Sequence, residues 1–300
     1  MKTALRVGIT SGALLLLMGA CAPRPLGRDL HSMPITSVTG DTLWRGEITV
    51  DRIVVVRRGG HLRILPGTKI FFRRVDWDGD GIGDAELTVE GRLTAEGTAE
   101  APILFTSAEP IPRPSDWKYL LINFAEGASL GYARFSHAYS GVQVHYSPAR
   151  ILRCEFAHNV DGVRFSTARL RVEGCWIHGN QNGVRFEERG HPAEIVANEI
   201  SDNGTGIFPV AECRGKTVFR ENNILRNGSP VKMGLEQRED LSFPGNYWGT
   251  EDEAAVLEAV VDRRSDPALG RVTVAPMLPR PAKIDVPPLE PPDDPDWRRH

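Results

Sequence analysis

Between residues 130 and 249, apolar and polar positions recur as one short unit, five times over. Aligned on an apolar anchor (Phe135, Phe156, Ile177, Ile200, Ile224), the units follow one another at spacings of 21, 21, 23 and 24 residues. Each unit holds two short runs in which apolar and polar side chains alternate, which is the period of strands. A repeat of that length is too short for a pair of helices and suits one turn of a parallel β-helix.

The columns of the alignment assign directions to the side chains. The anchors, and the residues two before them (Ala133, Cys154, Cys175, Asn198, Asn222), are expected to face inward. The residues between those columns (Arg134, Glu155, Trp176, Glu199, Asn223) are expected to face water. Three after the anchor come Ala138, Asn159, Asn180, Asn203 and Asn227, where asparagine is expected to take the left-handed bend and to bond its counterpart one turn away. Six after it come Gly141, Gly162, Gly183 and Gly206, with Pro230 breaking the column, and glycine there is expected to ease a turn. Val142, Val163, Val184, Ile207 and Val231 follow, then, two further on, Val144, Phe165, Phe186, Pro209 and Met233, both sets facing inward.

The strings CEFAHNVDGVRF, CWIHGNQNGVRF and NEISDNGTGIFP resemble the right-handed parallel β-helix repeat family, whose best known members share the pectate lyase fold. The resemblance spans residues 41–250 and implies an all-β, right-handed, single-stranded parallel β-helix. Runs at 48–50, 53–56, 62–65, 70–72, 87–89, 103–105 and 120–124, separated by Gly, Pro or acidic turns, read as earlier coils with wider turns. Nine or ten coils at about 4.8 Å each would make a rod about 45 Å long. NYWGT at 246–250 resembles the sequence that closes the last coil in this family. Residues 251–264 then read as a lid helix with Ala254, Ala255, Leu257, Val260 and Val261 as its apolar stripe, within a cap over 251–276. The Pro-rich, acidic stretch 277–300 favours an extended tail.

The other end reads as an address. Lys2 and Arg6 precede the apolar run 7–20, too short for a membrane span but right for a signal peptide over 1–20. MGAC resembles the lipobox of bacterial lipoproteins, with Met18 in place of the more usual Leu, and implies lipidation at Cys21 and a tether over 21–40. Ala22, where an acidic residue would retain the protein, implies the outer membrane in Gram-negative members. The expected protein is therefore exported, lipid-anchored to the cell envelope and monomeric. Net charge is −3, or −5 once Lys2 and Arg6 leave, so no general attraction to nucleic acid is expected. Cys154 and Cys175 share an inner column, which allows two buried thiols or a poorly oriented bridge.

Asp76, Asp78, Asp80, Gly81 and Asp84, in DWDGDGIGD, place acids at alternate positions around a sharp turn, with the carbonyl of Ile82 as a further oxygen. This resembles the first nine positions of an EF-hand or dockerin-type calcium loop, but Leu87 stands where the twelfth-position acid would be. The expectation is a structural Ca²⁺ with Glu86 available to complete the shell; the alternative is a solvated acidic turn.

No catalytic residues are legible. Arg164 and Arg185, outward and one coil apart, would suit an anionic sugar or simply solubilise the sheet, in the outward column Gln143, Arg164, Arg185, Phe208 and Lys232. Trp176 would be a sugar platform or lie beneath a loop, and His137 and His158 stack near Asp161 as surface decoration or a proton or metal site. Two classes of function stand: a non-catalytic envelope lipoprotein presenting a binding or scaffold surface to a polysaccharide or envelope protein, or a polysaccharide lyase, epimerase or hydrolase on acidic glycans.

Overall fold

The computed structural model describes residues 33–284. The expected signal peptide and the expected lipidation site Cys21 lie outside the described residues, as does most of the Pro-rich tail. Every third strand pairs in parallel with its counterpart one coil on, so the chain winds through three stacked sheets. The first sheet has nine strands, from Ile35–Val38 to Ser229–Val231, and the second and third have eight each. Eight steps of about 4.8 Å give the first sheet a span of about 38 Å. The first strand begins at Ile35 and pairs with Ile53–Val56, so residues 35–40, expected in the tether, belong to the first coil.

The anchor column is longer than the repeat alone displayed. Register carries it through Ile48, Ile70, Phe105, Phe135, Phe156, Ile177, Ile200 and Ile224, one residue per coil. From Ile70 onward these side chains are 0–2% exposed. Phe105, Phe135 and Phe156 stack ring on ring at centroid distances of 4.6 and 5.0 Å. Each such ring removed from water contributes about 1.5–3 kcal/mol, which is why coils of this kind are stable only in stacks.

Of the two expectations for the asparagine column, the bond to the counterpart one turn away holds and the left-handed bend does not. The left-handed residue is the one before it, at His137, His158, Gly179, Asp202 and Arg226, with φ between 52° and 65°. The asparagine keeps ordinary backbone geometry and turns its amide inward. Asn159, Asn180 and Asn203 each donate to the Oδ1 of the next coil's asparagine at 3.0 Å, and each accepting Oδ1 also takes the backbone N–H of the preceding ladder residue at 2.9–3.0 Å. The remaining amide proton reaches the carbonyls of Phe135, Phe156 and Ile177. A second ladder of Asn198, Asn222 and Asn246 occupies the neighbouring corner. Asn246 comes from NYWGT, so that motif supplies the last rung. The glycine column also has another cause: φ is not positive there, but a Cβ on Gly162 or Gly183 would stand 2.8 or 2.7 Å from the next coil's carbonyl oxygen.

The C-terminal end is covered. The helix is shorter than expected, Glu253–Glu258, with the Asp252 carboxylate accepting from the amides of Ala254 and Ala255. Its buried residue is Val256, while Ala254 and Ala255 face water. The β-branched pair Val260 and Val261 leaves the helix: Val261 pairs along Lys232 at the edge of the first sheet. Asp262, fully buried, then holds the turn by accepting from the amides of Arg264 and Val272. The start of the tail packs back on the rod, where Asn223 exchanges two hydrogen bonds with Ala282.

Candidate functional site

The first sheet carries the most developed surface. Register places Gln143, Arg164, Arg185 and Phe208 in one outward column, and Asn123, His145, Ser166 and Glu187 in the next. Between them lies a cleft of about 360 Å³ lined by Arg164, Arg185, Arg189, His145, Phe124 and Tyr146 among others. Arg185 donates to the buried Asp161 at 3.3 Å and lies 5.5 Å from the Phe208 ring. Arg189 bridges Glu187 and Glu212. Arg164 makes no hydrogen bond or ion pair among the described residues, so its charge is uncompensated at contact range. His145 contacts Gln143 and Ser166 at 2.6 Å each. A neutral imidazole satisfies both, donating from one nitrogen and accepting at the other, and burial together with the charges of Arg164 and Arg189 holds its pKa below the usual value.

Phe124 and Tyr146 complete the cleft. Both sit in left-handed geometry at a corner, 53% and 50% exposed, with rings stacked at 4.6 Å and an interplanar angle of 3°. The repeat columns ended at Val144, two positions short of that corner, and missed them. Their spacing of one coil was the available signal.

On the same sheet, toward the N-terminus, the side chains of Glu86 and Tyr119 meet. Glu86, 7% exposed, accepts from the Thr88 hydroxyl at 2.7 Å, and burial pushes its pKa up. The Tyr119 phenol is likewise pushed up by burial and by Glu86. Glu86 is thus engaged on the sheet face and is not drawn into the acidic loop, contrary to its expected role there.

In the acidic loop, carboxylate oxygens of Asp76, Asp78 and Asp84 lie within 4.8 Å of one another. Asp80 is not among them, because its carboxylate turns back to accept from the Ile82 amide at 2.8 Å. Asp76 holds the turn through the amides of Gly79 and Gly81. Asp84, 1% exposed, accepts from the Trp77 amide and faces Lys118 Nζ at 3.5 Å. Far from being an isolated turn, the loop is bonded to the next coil: Gly83 donates to Ser115, and Arg74 to Glu109. Three carboxylates in that arrangement fit a hard divalent cation such as Ca²⁺.

The remaining expected residues lie elsewhere. Trp176 is on the third sheet, half-buried, stacked on His178 at 3.7 Å and bonded to Ser201, so it shares no surface with Arg164 and Arg185. His137 and His158 stack at 5.9 Å, and His178 bonds Glu155. Burial, with His158 beside it, lowers His137 to a pKa of about 4. Asp161 belongs instead with Arg185, Asn182 and Ser140. Cys154, Cys175 and Cys213 are buried free thiols, and burial raises the Cys154 and Cys213 pKa values.

A family model described as a right-handed beta helix region matches residues 120–237. No curated protein and no solved structure matches the chain. The stacked parallel strands, the continuous anchor column and that match agree on one architecture, a right-handed parallel β-helix, and the coils before residue 120 extend the same stack.

Proposed function

We propose that this is a non-catalytic cell-envelope lipoprotein whose first sheet binds an acidic glycan. The observation that carries the reading is the pairing of Arg164, which has no ion-pair partner among the described residues, with two exposed stacked rings, Phe124 and Tyr146, along one cleft. An acidic sugar presents a carboxylate to a guanidinium and an apolar ring face to an aromatic surface, so both halves of the cleft are used. Titration calorimetry against a panel of uronate polymers should show binding that Arg164→Ala weakens at least tenfold and Tyr146→Ala several-fold. Unchanged affinity in both variants, or no binding across the panel, would refute it. Lipid anchoring at Cys21 and export to the outer membrane belong to the same reading, supported by the MGAC string, and are checked by the mass of the N-terminal peptide. A structural Ca²⁺ held by Asp76, Asp78 and Asp84 would tie two coils together beside this face.

A catalytic reading has one observation behind it, the buried Glu86 carboxyl with its raised pKa on the same sheet. Turnover of uronate polymers, lost in Glu86→Gln with binding retained, would favour that reading.

A further inference from the structure

The two ends of the rod are finished differently. At the C-terminal end Val256, Val260, Leu269, Val272 and Val274 close over the last coil and are 0–5% exposed. At the N-terminal end the first strands of all three sheets, Ile35–Val38, Asp41–Trp44 and Glu47–Val50, pair on one side only among the described residues. Above them opens a cavity of about 570 Å³ whose apolar wall is Trp44, Ile48, Val50 and Val54 and whose polar rim includes Asp51, Arg52 and Arg73. Ile35 and Leu43 on the same coil are 56% and 52% exposed, and among the described residues nothing covers them. Such an apolar end, with open strand edges, is the type of surface that soluble proteins normally protect.

What stands over it is indicated by where the chain goes. The described chain enters this coil at Met33, and Cys21 is only a dozen residues earlier. Fully extended, that length spans at most about 40 Å. At the mouth Asp51 is offset by both Arg52 and Arg73, and Arg45 on the same first coil is exposed with no ion pair among the described residues, which leaves cationic charge to meet anionic headgroups. We propose that the N-terminal end of the rod is a membrane-contact surface, with Ile35, Leu43 and Trp44 seated in the headgroup region and the long axis directed away from the bilayer. The proposal rests on the lipid-anchor reading for its tether. Anchoring then confines the mouth near the bilayer at high effective concentration, so a weak intrinsic affinity is sufficient. It also leaves the cleft of the first sheet open to the side.

The test tethers residues 22–300 through an N-terminal hexahistidine tag to vesicles of phosphatidylethanolamine and phosphatidylglycerol containing a nickel-chelating lipid. A polarity-sensitive dye is placed by Leu43→Cys, by Ile35→Cys, or, at the covered end, by Leu235→Cys, a position 84% exposed. The native thiols are buried and do not compete. Emission from positions 43 and 35 should rise several-fold on tethering and be quenched by spin-labelled lipid, with position 235 unaffected. Equal quenching at all three sites would overturn the proposal. So would shielding of 43 and 35 from both lipid and aqueous quenchers, which would assign the mouth to residues 22–32, or concentration-dependent self-quenching, which would assign it to a second copy. Because the tag supplies the tether, an unmodified Cys21 in the native protein would refute the lipid anchor independently of this result.

Discussion

Coils 35–124 and coils 133–248 build the same column by different means. In the later coils the corners are closed by two asparagine ladders, and the units keep to 21–24 residues. In the earlier coils the corresponding corner positions are Asp51, Arg73 and Ala108, with no ladder, and long loops intervene at 73–85 and 108–116. There the stack is held by packing, with Phe72 on Trp117 at 4.1 Å, and by the bonds that tie the acidic loop to the next coil. A buried amide ladder tolerates little variation in coil length, since each rung must meet the next. Apolar stacking leaves the corners free to bulge, and the acidic loop occupies that freedom.

The largest expected effect is at a rung. Asn180→Ala leaves several buried backbone groups without partners and should cost about 4 kcal/mol in urea denaturation, whereas Arg73→Ala at the aligned corner should cost less than about 0.5 kcal/mol. Similar losses at both would erase the distinction. Next is the cation: Ca²⁺ at a hundredfold excess over its Kd should stabilise the protein by about 2.7 kcal/mol, and Asp78→Asn should abolish the gain. A midpoint identical in calcium and in chelator would return the loop to a solvated turn. The smallest concerns pH. Folding lowers the His137 pKa from its ordinary 6.5 to about 4, so the unfolded chain takes up the proton first. Stability present above about pH 6.5 therefore drains away as pH falls toward 4, by roughly 3 kcal/mol for this side chain. His145 and His158, also held low by burial, act in the same direction. Denaturation midpoints at pH 7 and pH 4.5 should differ less in His137→Gln than in the parent chain; equal differences would show that the imidazole is not responsible.

Much of the fold was legible because its rules are local. Alternation fixed which residues of each strand face inward, and the 21-residue spacing set Phe135 over Phe156 and Phe156 over Ile177. The asparagine column and its bonds from coil to coil were visible too, but the left-handed bend was misplaced by one residue, since His137, His158, Asp202 and Arg226 carry no side-chain signature of that geometry. The helix was overextended because its apolar stripe continued into Val260 and Val261, whose partners lie on a sheet edge distant in sequence. Of the candidate surface residues, Arg164 and Arg185 do adjoin, while Trp176 lies on another sheet.

The sequence by itself determined the coil, its inward columns and its amide rungs, because period-two alternation and a constant repeat length specify stacking without knowledge of anything farther away. Only the tertiary structure decided which corners become surfaces. The pairing of Phe124 with Tyr146, the lack of a hydrogen-bond or ion-pair partner for Arg164 among the described residues, the exclusion of Asp80 from the carboxylate cluster and a first coil that no described residue covers depend on turn geometry. So does the meeting of loops from successive coils, which no repeat encodes.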